Sequence, residues 1–276
     1  MIEVGTYHIM TVLRKTSVGC FLGNNLGDEI LLPNKYIPEN TEIDDRINVF
    51  IYKDSEDRPI ATTLIPKAVS GEFAFLTVND VSPIGSFLDI GLEKDILVPY
   101  REQNRRLERG QQVLVYVYTD NASNRMVASC KTNKFTTKEI TELSENQEVD
   151  ILISEKTDLG FKAIVNQKYS GLLYHNEIFS ALKLGEKLKG FVKKIREDGK
   201  LDISLQKQGY DGIEPMSETI LKALNMNNGV LPIGDKSSPE EIYGLLKMSK
   251  KNFKKAVGLL YKNKLITIEE QKIKSV

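Results

Sequence analysis

Residues 84–129 read IGSFLDIGLEKDILVPYREQNRRLERGQQVLVYVYTDNASNRMVAS, and this stretch decides the fold. It opens on an apolar residue and a glycine, Ile84-Gly85. Short apolar segments follow at 84–91 and 95–100. VLVYVY at 113–118 is rich in β-branched and aromatic side chains, which suit a half-buried strand. Asp120 to Asn124 supplies turn residues between two strand-like runs, the signal of a hairpin. The polar run REQNRRLERG at 101–110 interrupts the strands and predicts a short helical turn or a long loop.

The same pattern lies on either side, at intervals of roughly 65 to 75 residues. Upstream are VGCFLG at 18–23, EILLPN at 29–34 and RINVFIYKDSEDRPIATTL at 46–64. Downstream are LGFKAIV at 159–165, GLLYHN at 171–176 and EKLKGFVKKIREDGKLDISL at 186–205. The outer copies also begin on an apolar-glycine pair, Val18-Gly19 and Leu159-Gly160. Their hairpin turns fall at Asp54 to Asp57 and at Asp198-Gly199. About five short strands in each such unit is the arithmetic of an OB-type barrel. The expected fold class is therefore mostly β, with three tandem five-stranded OB-type barrels at 1–65, 66–137 and 138–208.

From residue 215 the apolar spacing changes from two toward 3.6, so 209–276 is expected to be an α+β winged helix-turn-helix domain. Ile220, Leu221 and Leu224 mark a first helix, and GVLPIG at 229–234 is short and extended. Ser238-Pro239-Glu240-Glu241 is a capping box with proline at the first helical position. Ser249 caps a third helix with Phe253, Ala256, Val257 and Leu260 on its apolar face. Leu265 to Ile268 and the tail supply the wing strands.

The 38 basic and 38 acidic side chains cancel, which argues against a strongly basic nucleic-acid coat protein. The distribution is uneven. Residues 1–65 carry six basic and ten acidic groups, whereas 209–276 carry eleven and eight. The apolar runs are too short for a membrane span, and MIEVGTYHIM lacks the form of a secretory signal. Cys20 and Cys130 sit in strand-like runs without ligand spacing, and read as buried thiols of a reducing cytoplasm. No catalytic constellation, metal site or cofactor motif is present. His8 and His175 are the only histidines and lie in different units.

Gly-x-Phe, a Leu-containing third strand, an Asp turn, a basic residue and a final apolar-Ser strand together resemble the S1 RNA-binding domain, an OB-fold module. The second unit matches through GSFLDIG and NRMVAS, and the third through GLLYHNE at 171–177 and GKLDISLQK at 199–207. The first is the most degenerate and lacks the glycine before its third strand. Three such units before a winged helix resemble the conserved virulence factor B family of bacterial regulators. That resemblance implies a non-catalytic cytoplasmic protein that binds single-stranded RNA.

It also implies site residues. An S1 domain presents a base-stacking aromatic on its second strand, which points to Phe21 and Phe87. Phe161 follows its glycine by one residue, so the third unit is shifted. Inward core packing stays open for these rings, because sequence does not fix the phase of a strand. Tyr174, with His175 beside it, stands where the family often has a histidine. A basic residue before the last strand contacts phosphate in S1 domains, and Arg58, Arg125 and Lys200 recur there. Lys193, Lys194 and Arg196 crowd the third unit. Arg101, Arg105, Arg106 and Arg109 crowd the second, with pairing to Glu102 and Glu108 as the alternative. On the winged helix, Lys250, Lys251, Lys254, Lys255 and Lys262 fall in a stretch, 242–268, that holds no acidic residue. Their helix offers no arginine and one asparagine, Asn252, so it suits phosphate contact more than base readout. Two other readings stay open: a DNA-binding transcription regulator that reads duplex through the winged helix, and a protein-interaction adaptor for partners such as ribosomal or RNA-decay proteins. The acidic first barrel is the part least expected to hold RNA.

Overall fold

The computed structural model describes residues 2–175, 178, 181–205 and 214–276. The first barrel is built from β1 (Tyr7–Lys15), β2 (Gly19–Gly23), β3 (Glu29–Pro33), β4 (Arg46–Lys53) and β5 (Pro59–Thr62). The second is built from β6 (Phe73–Ser82), β7 (Gly85–Asp89), β8 (Ile96–Pro99), β9 (Gln112–Asp120) and β10 (Arg125–Ser129). The third contains β11 (Glu148–Thr157), β12 (Gly160–Val165), β13 (Tyr169–Tyr174), β14 (Lys187–Ile195) and β15 (Leu201–Ser204). All three close with the same neighbour order, first-second-third-fifth-fourth and back to the first. Third and fifth strands run parallel, and every other pair is antiparallel. The polar run 101–110 begins in a 3-10 turn at Tyr100–Glu102, and the first barrel has its counterpart at Asn34–Tyr36.

Two backbone devices recur. The long first strand carries an irregularity at one equivalent place in each barrel: Val12/Arg14, Val78/Asp80 and Ile153/Glu155. A bulge there lets one strand bend and serve both sides of a small barrel. The second device is the glycine that opens each second strand. Gly19, Gly85 and Gly160 have φ of +154°, +155° and +149°. A Cβ at these sites would lie 2.2, 2.3 and 2.0 Å from the carbonyl oxygens of Leu32, Val98 and Leu173 on the third strand. Only glycine permits this approach.

Alternation fills the interiors. Val12, Leu22, Leu32, Val49 and Ile51 fill the first barrel, Val78, Leu88, Val98, Val115 and Val117 the second, and Ile151, Ala163, Leu173, Val192 and Ile203 the third. Leu114 and Tyr116, which alternate with Val115 and Val117, are half-buried on the outer side of the strand. Leu114 and Tyr116 join Phe73, Phe75, Phe135, Leu152 and Ile164 in a cluster shared by the second and third barrels. Tyr116 stacks on Phe135 with ring centres 4.1 Å apart. The Gln167 side chain adds a two-point clamp, accepting from the Phe73 N–H (2.7 Å) and donating to the Phe73 carbonyl (3.2 Å).

The winged-helix region contains α1 (Glu214–Met226), β16 (Val230–Leu231), α2 (Pro239–Leu246), α3 (Lys250–Lys262), β17 (Ile266–Ile268) and β18 (Ile273–Ser275). The Ser238 capping box is formed in full, and the Ser249 side chain accepts from the Asn252 N–H. Ile220, Leu224, Ile242, Phe253, Val257 and Ile273 make its core.

Gly85→Ala should lower the stability of the second barrel by about 2–4 kcal/mol, since it combines a backbone clash with a disfavoured φ. Gly27→Ala meets nothing within 4 Å at φ +82° and should cost about 1 kcal/mol from φ alone. Chemical unfolding midpoints of the two variants check this contrast.

Candidate nucleic-acid interface

The strand registers settle which aromatics correspond. Phe21 pairs with Arg14 and Leu31, and Phe87 with Asp80 and Leu97. In the third barrel the residue two places after the glycine is Lys162, which pairs with Glu155 and Leu172. Phe161 instead takes the place of Cys20 and Ser86. It packs on the third barrel's core and meets His175 edge-on at 6.3 Å. Phe161 is therefore not the counterpart of Phe21 and Phe87. Counting from each glycine carries that information, and Lys162 is the residue it identifies.

Phe21 and Phe87 are both half-buried, on the outer phase of their strands. Their surroundings differ. The Arg14 guanidinium covers the Phe21 ring at 4.1 Å and is held there by Glu29 at 2.7 Å. Phe87 lines an open cleft together with Arg125. The same cleft is lined by Tyr52 and Lys53 of the first barrel and by Ile84, Lys94 and Met126 of the second. Sequence reasoning missed these five, and Tyr52 and Lys53 become neighbours of Phe87 only when the two barrels meet.

The three basic residues at the hairpins are all paired. Arg58 meets Asp54 at 2.8 Å and Glu56 at 2.7 Å within its own turn. Arg125 reaches across to Asp57 of the first barrel, and this hydrogen bond holds the Asp57 carboxyl below the usual carboxylate range. Lys200 lies 3.4 Å from Asp198. In the third barrel Arg196 contacts Asp198 (3.1 Å) and Asp202 (3.8 Å), and the Tyr174 hydroxyl donates to Asp202 (3.3 Å). Tyr174, Arg196 and Lys200 thus join one polar chain. Lys194 is exposed on β14, in register with Asp202, and Lys193 sits at the irregularity beside it. Exposed pairs of this kind are worth about 0–1 kcal/mol, so a phosphate can displace the carboxylate at little cost.

Within the arginine-rich loop, Glu102 bonds Ser129 and Lys134 rather than a neighbouring arginine, and Arg106 covers the Tyr100 ring at 3.6 Å. On α3, Lys254 pairs with Asp235 at 2.9 Å and draws that carboxyl below its ordinary range. Among the described residues, Lys250, Lys251, Lys255 and Lys262 have no carboxylate within 4.0 Å.

The described residues contain no group of three or more His, Cys, Asp or Glu able to hold a metal. No helix among them is long and apolar enough to cross a membrane. Cys20 and Cys130 are buried free thiols. Burial pushes the Cys130 thiol up to about 11. It stays protonated at neutral pH and is a poor nucleophile.

Residues 4–64 and 70–131 match the S1 domain, and residues 218–274 match the CvfB-like winged helix domain. YitL of Bacillus subtilis is 31% identical over 264 residues, spanning 92% of this chain and 87% of YitL. Conserved virulence factor B of Staphylococcus saprophyticus is 26% identical, over 90% of this chain and 86% of that protein. A solved multidomain protein with nucleic acid binding domains from Streptococcus pneumoniae is 22% identical, covers 99% of this chain and 98% of its own, and has a TM-score of 0.42.

Alkylation by iodoacetamide at pH 7 should leave Cys130 unmodified in the native protein and proceed readily once the chain is unfolded. Rapid native labelling at Cys130, read by mass spectrometry, would contradict the buried, protonated thiol.

Proposed function

The chain belongs to the conserved virulence factor B family, and from that premise we propose that it is a non-catalytic RNA-binding protein of the cytoplasm. It regulates gene expression after transcription by holding single-stranded RNA across its barrels, with the winged helix adding electrostatic grip. The observation that carries this reading is the second barrel, where the outer ring of Phe87 and the guanidinium of Arg125 line one cleft. A ring and a cation side by side are what a nucleotide needs, a stacking partner for its base and a counter-charge for its phosphate.

The third barrel supports it through Tyr174, Arg196 and Lys200, linked by Asp198 and Asp202. The α3 lysines add an exposed cationic flank opposite the buried Phe253, Ala256, Val257 and Leu260. Joining several weak modules raises their effective concentration for one strand, so a modest affinity per barrel suffices. Phe21, under its arginine, and Arg58, paired twice, contribute less.

Filter binding of the intact protein to unstructured RNA tests the proposal. Saturable binding that weakens with salt is expected, and its absence rejects the reading. Changing Lys250, Lys251 and Lys255 together to Glu should weaken binding. It should also flatten the dependence of log affinity on log salt by about two units, at roughly 0.7 per lost phosphate contact. A preference for duplex DNA over single-stranded RNA that disappears in this triple variant would favour a duplex-binding winged helix instead. Unchanged affinity in the variant would favour a protein-docking role for α3.

A further inference from the structure

The cleft between the first two barrels encloses about 130 Å³. It is smaller than the roughly 300 Å³ at which sites for drug-sized ligands begin, and it suits a single flat ring. The walls are mostly apolar, with Phe87, Ile84, Leu97 and Met126 from the second barrel and Tyr52 from the first. Water in such a place has few polar partners, so a ring that displaces it gains affinity.

The rim has the opposite character. Lys53, Lys94 and Arg125 all border the cleft. The Lys53 ammonium donates across the joint to the Ser123 carbonyl (2.9 Å), and Lys94 donates across it to the Asp54 carbonyl (2.6 Å). Bonds to carbonyls orient these side chains, and a carbonyl, being neutral, cancels no charge. Of the carboxylates nearby, Asp57 is engaged by Arg125 and lies 4.0 Å from the Lys94 ammonium, and Asp95, which lines the cleft and keeps its charge, accepts from the Asn79 side-chain amide at 3.0 and 3.1 Å, so three cations face two carboxylates and the rim stays net positive. An apolar pit of one-ring size inside a cationic rim is complementary to a nucleotide, base inward and phosphate on the rim. An aromatic side chain of a protein would match the pit but not the rim.

We propose that this joint is a composite nucleobase pocket, in which one unpaired base of single-stranded RNA enters between the two barrels and stacks on Phe87. Its flanking phosphates lie on Lys53, Lys94 and Arg125. The proposal rests on the RNA-binding reading above and adds two things to it. The acidic first barrel, expected from its charge to take least part, supplies one wall of the site through Tyr52 and Lys53. The site also selects for single strands, because a base stacked in a duplex must be flipped out before it can enter.

The test uses the full chain and an RNA of about twelve nucleotides carrying one 4-thiouridine, a length within the range an OB-type module covers. Photo-crosslinking should join the modified base to peptides containing Tyr52-Lys53 and Ile84 to Phe87. Ile84→Glu places a carboxylate at the mouth, at a residue 61% exposed, and should lower affinity roughly tenfold. Ile9→Glu makes the same change at an equally exposed first-barrel residue outside the cleft, and should leave affinity within about twofold. Phe87→Leu keeps an apolar side chain but removes the flat ring, and should also weaken binding, which guards against misfolding of the first variant. The same strand annealed into a duplex should bind more weakly than the single strand. Saturable RNA binding with crosslinks elsewhere, or equal affinities for Ile84→Glu and Ile9→Glu, overturns the pocket and leaves the RNA-binding reading standing. Duplex bound as tightly as single strand also overturns the pocket. Failure of the wild-type protein to bind RNA at all rejects both.

Discussion

Each barrel depends on one close approach, that of the residue opening the second strand to a carbonyl on the third. At Gly19, Gly85 and Gly160 there is no room for a Cβ, and the backbone adopts an angle that other residues avoid. The approach fixes the register between second and third strands. That register in turn puts Leu22, Leu88 and Ala163 inside and leaves Phe21, Phe87 and Lys162 outside. Because side chains alternate with period two, a slip of one residue would exchange the core for the binding face. One steric fact therefore sets both the interior of the barrel and the chemistry it offers to a ligand.

Cation placement follows from the same scaffold but is less tightly specified. Arg58, Arg125 and Lys200 stand at equivalent hairpins, yet each has found a different carboxylate. Arg58 closes on its own turn, whereas Arg125 links two barrels. An ion pair between exposed groups holds orientation more than it holds energy, so these side chains are ordered without being committed. The neutral overall balance of the chain is thus compatible with local cationic sites. The lysines of α3 reach the same end differently, since no acidic residue occurs between 242 and 268.

Barrels and winged helix were legible in the sequence because each rests on local pattern. The Asp-turn hairpins, the apolar-glycine pairs, and the Ser238 and Ser249 caps are short-range signals, and the structure realises them at those residues. The site was legible only in part. The repeat pattern points to Phe87 and Arg125, but not to the cleft they share with Tyr52 and Lys53, which are more than thirty residues away in the chain. The one-residue shift of Phe161 relative to Phe21 and Phe87 is visible in the sequence, but that Lys162 takes the outer place needs the strand register. The joints between barrels left one trace. VLVYVY is apolar on both faces, and a strand on a solvated barrel needs only one. Leu114 and Tyr116 are the surplus, and the third barrel covers them.

That shared cluster separates two notions of a module. Repetition divides the first three quarters of the chain into three equal parts, each with its own closed barrel and interior. Side-chain burial divides it differently. Phe73, Tyr116 and Phe135 of the second barrel are shielded by Leu152 and Ile164 of the third, and Gln167 holds the Phe73 peptide from both sides. A fragment ending after the second barrel would carry that aromatic surface into water and lose the clamp. The Gln167 clamp grips main chain and not side chain, so it survives drift in the residue it holds. The second and third barrels are two closed folds that share one apolar cluster.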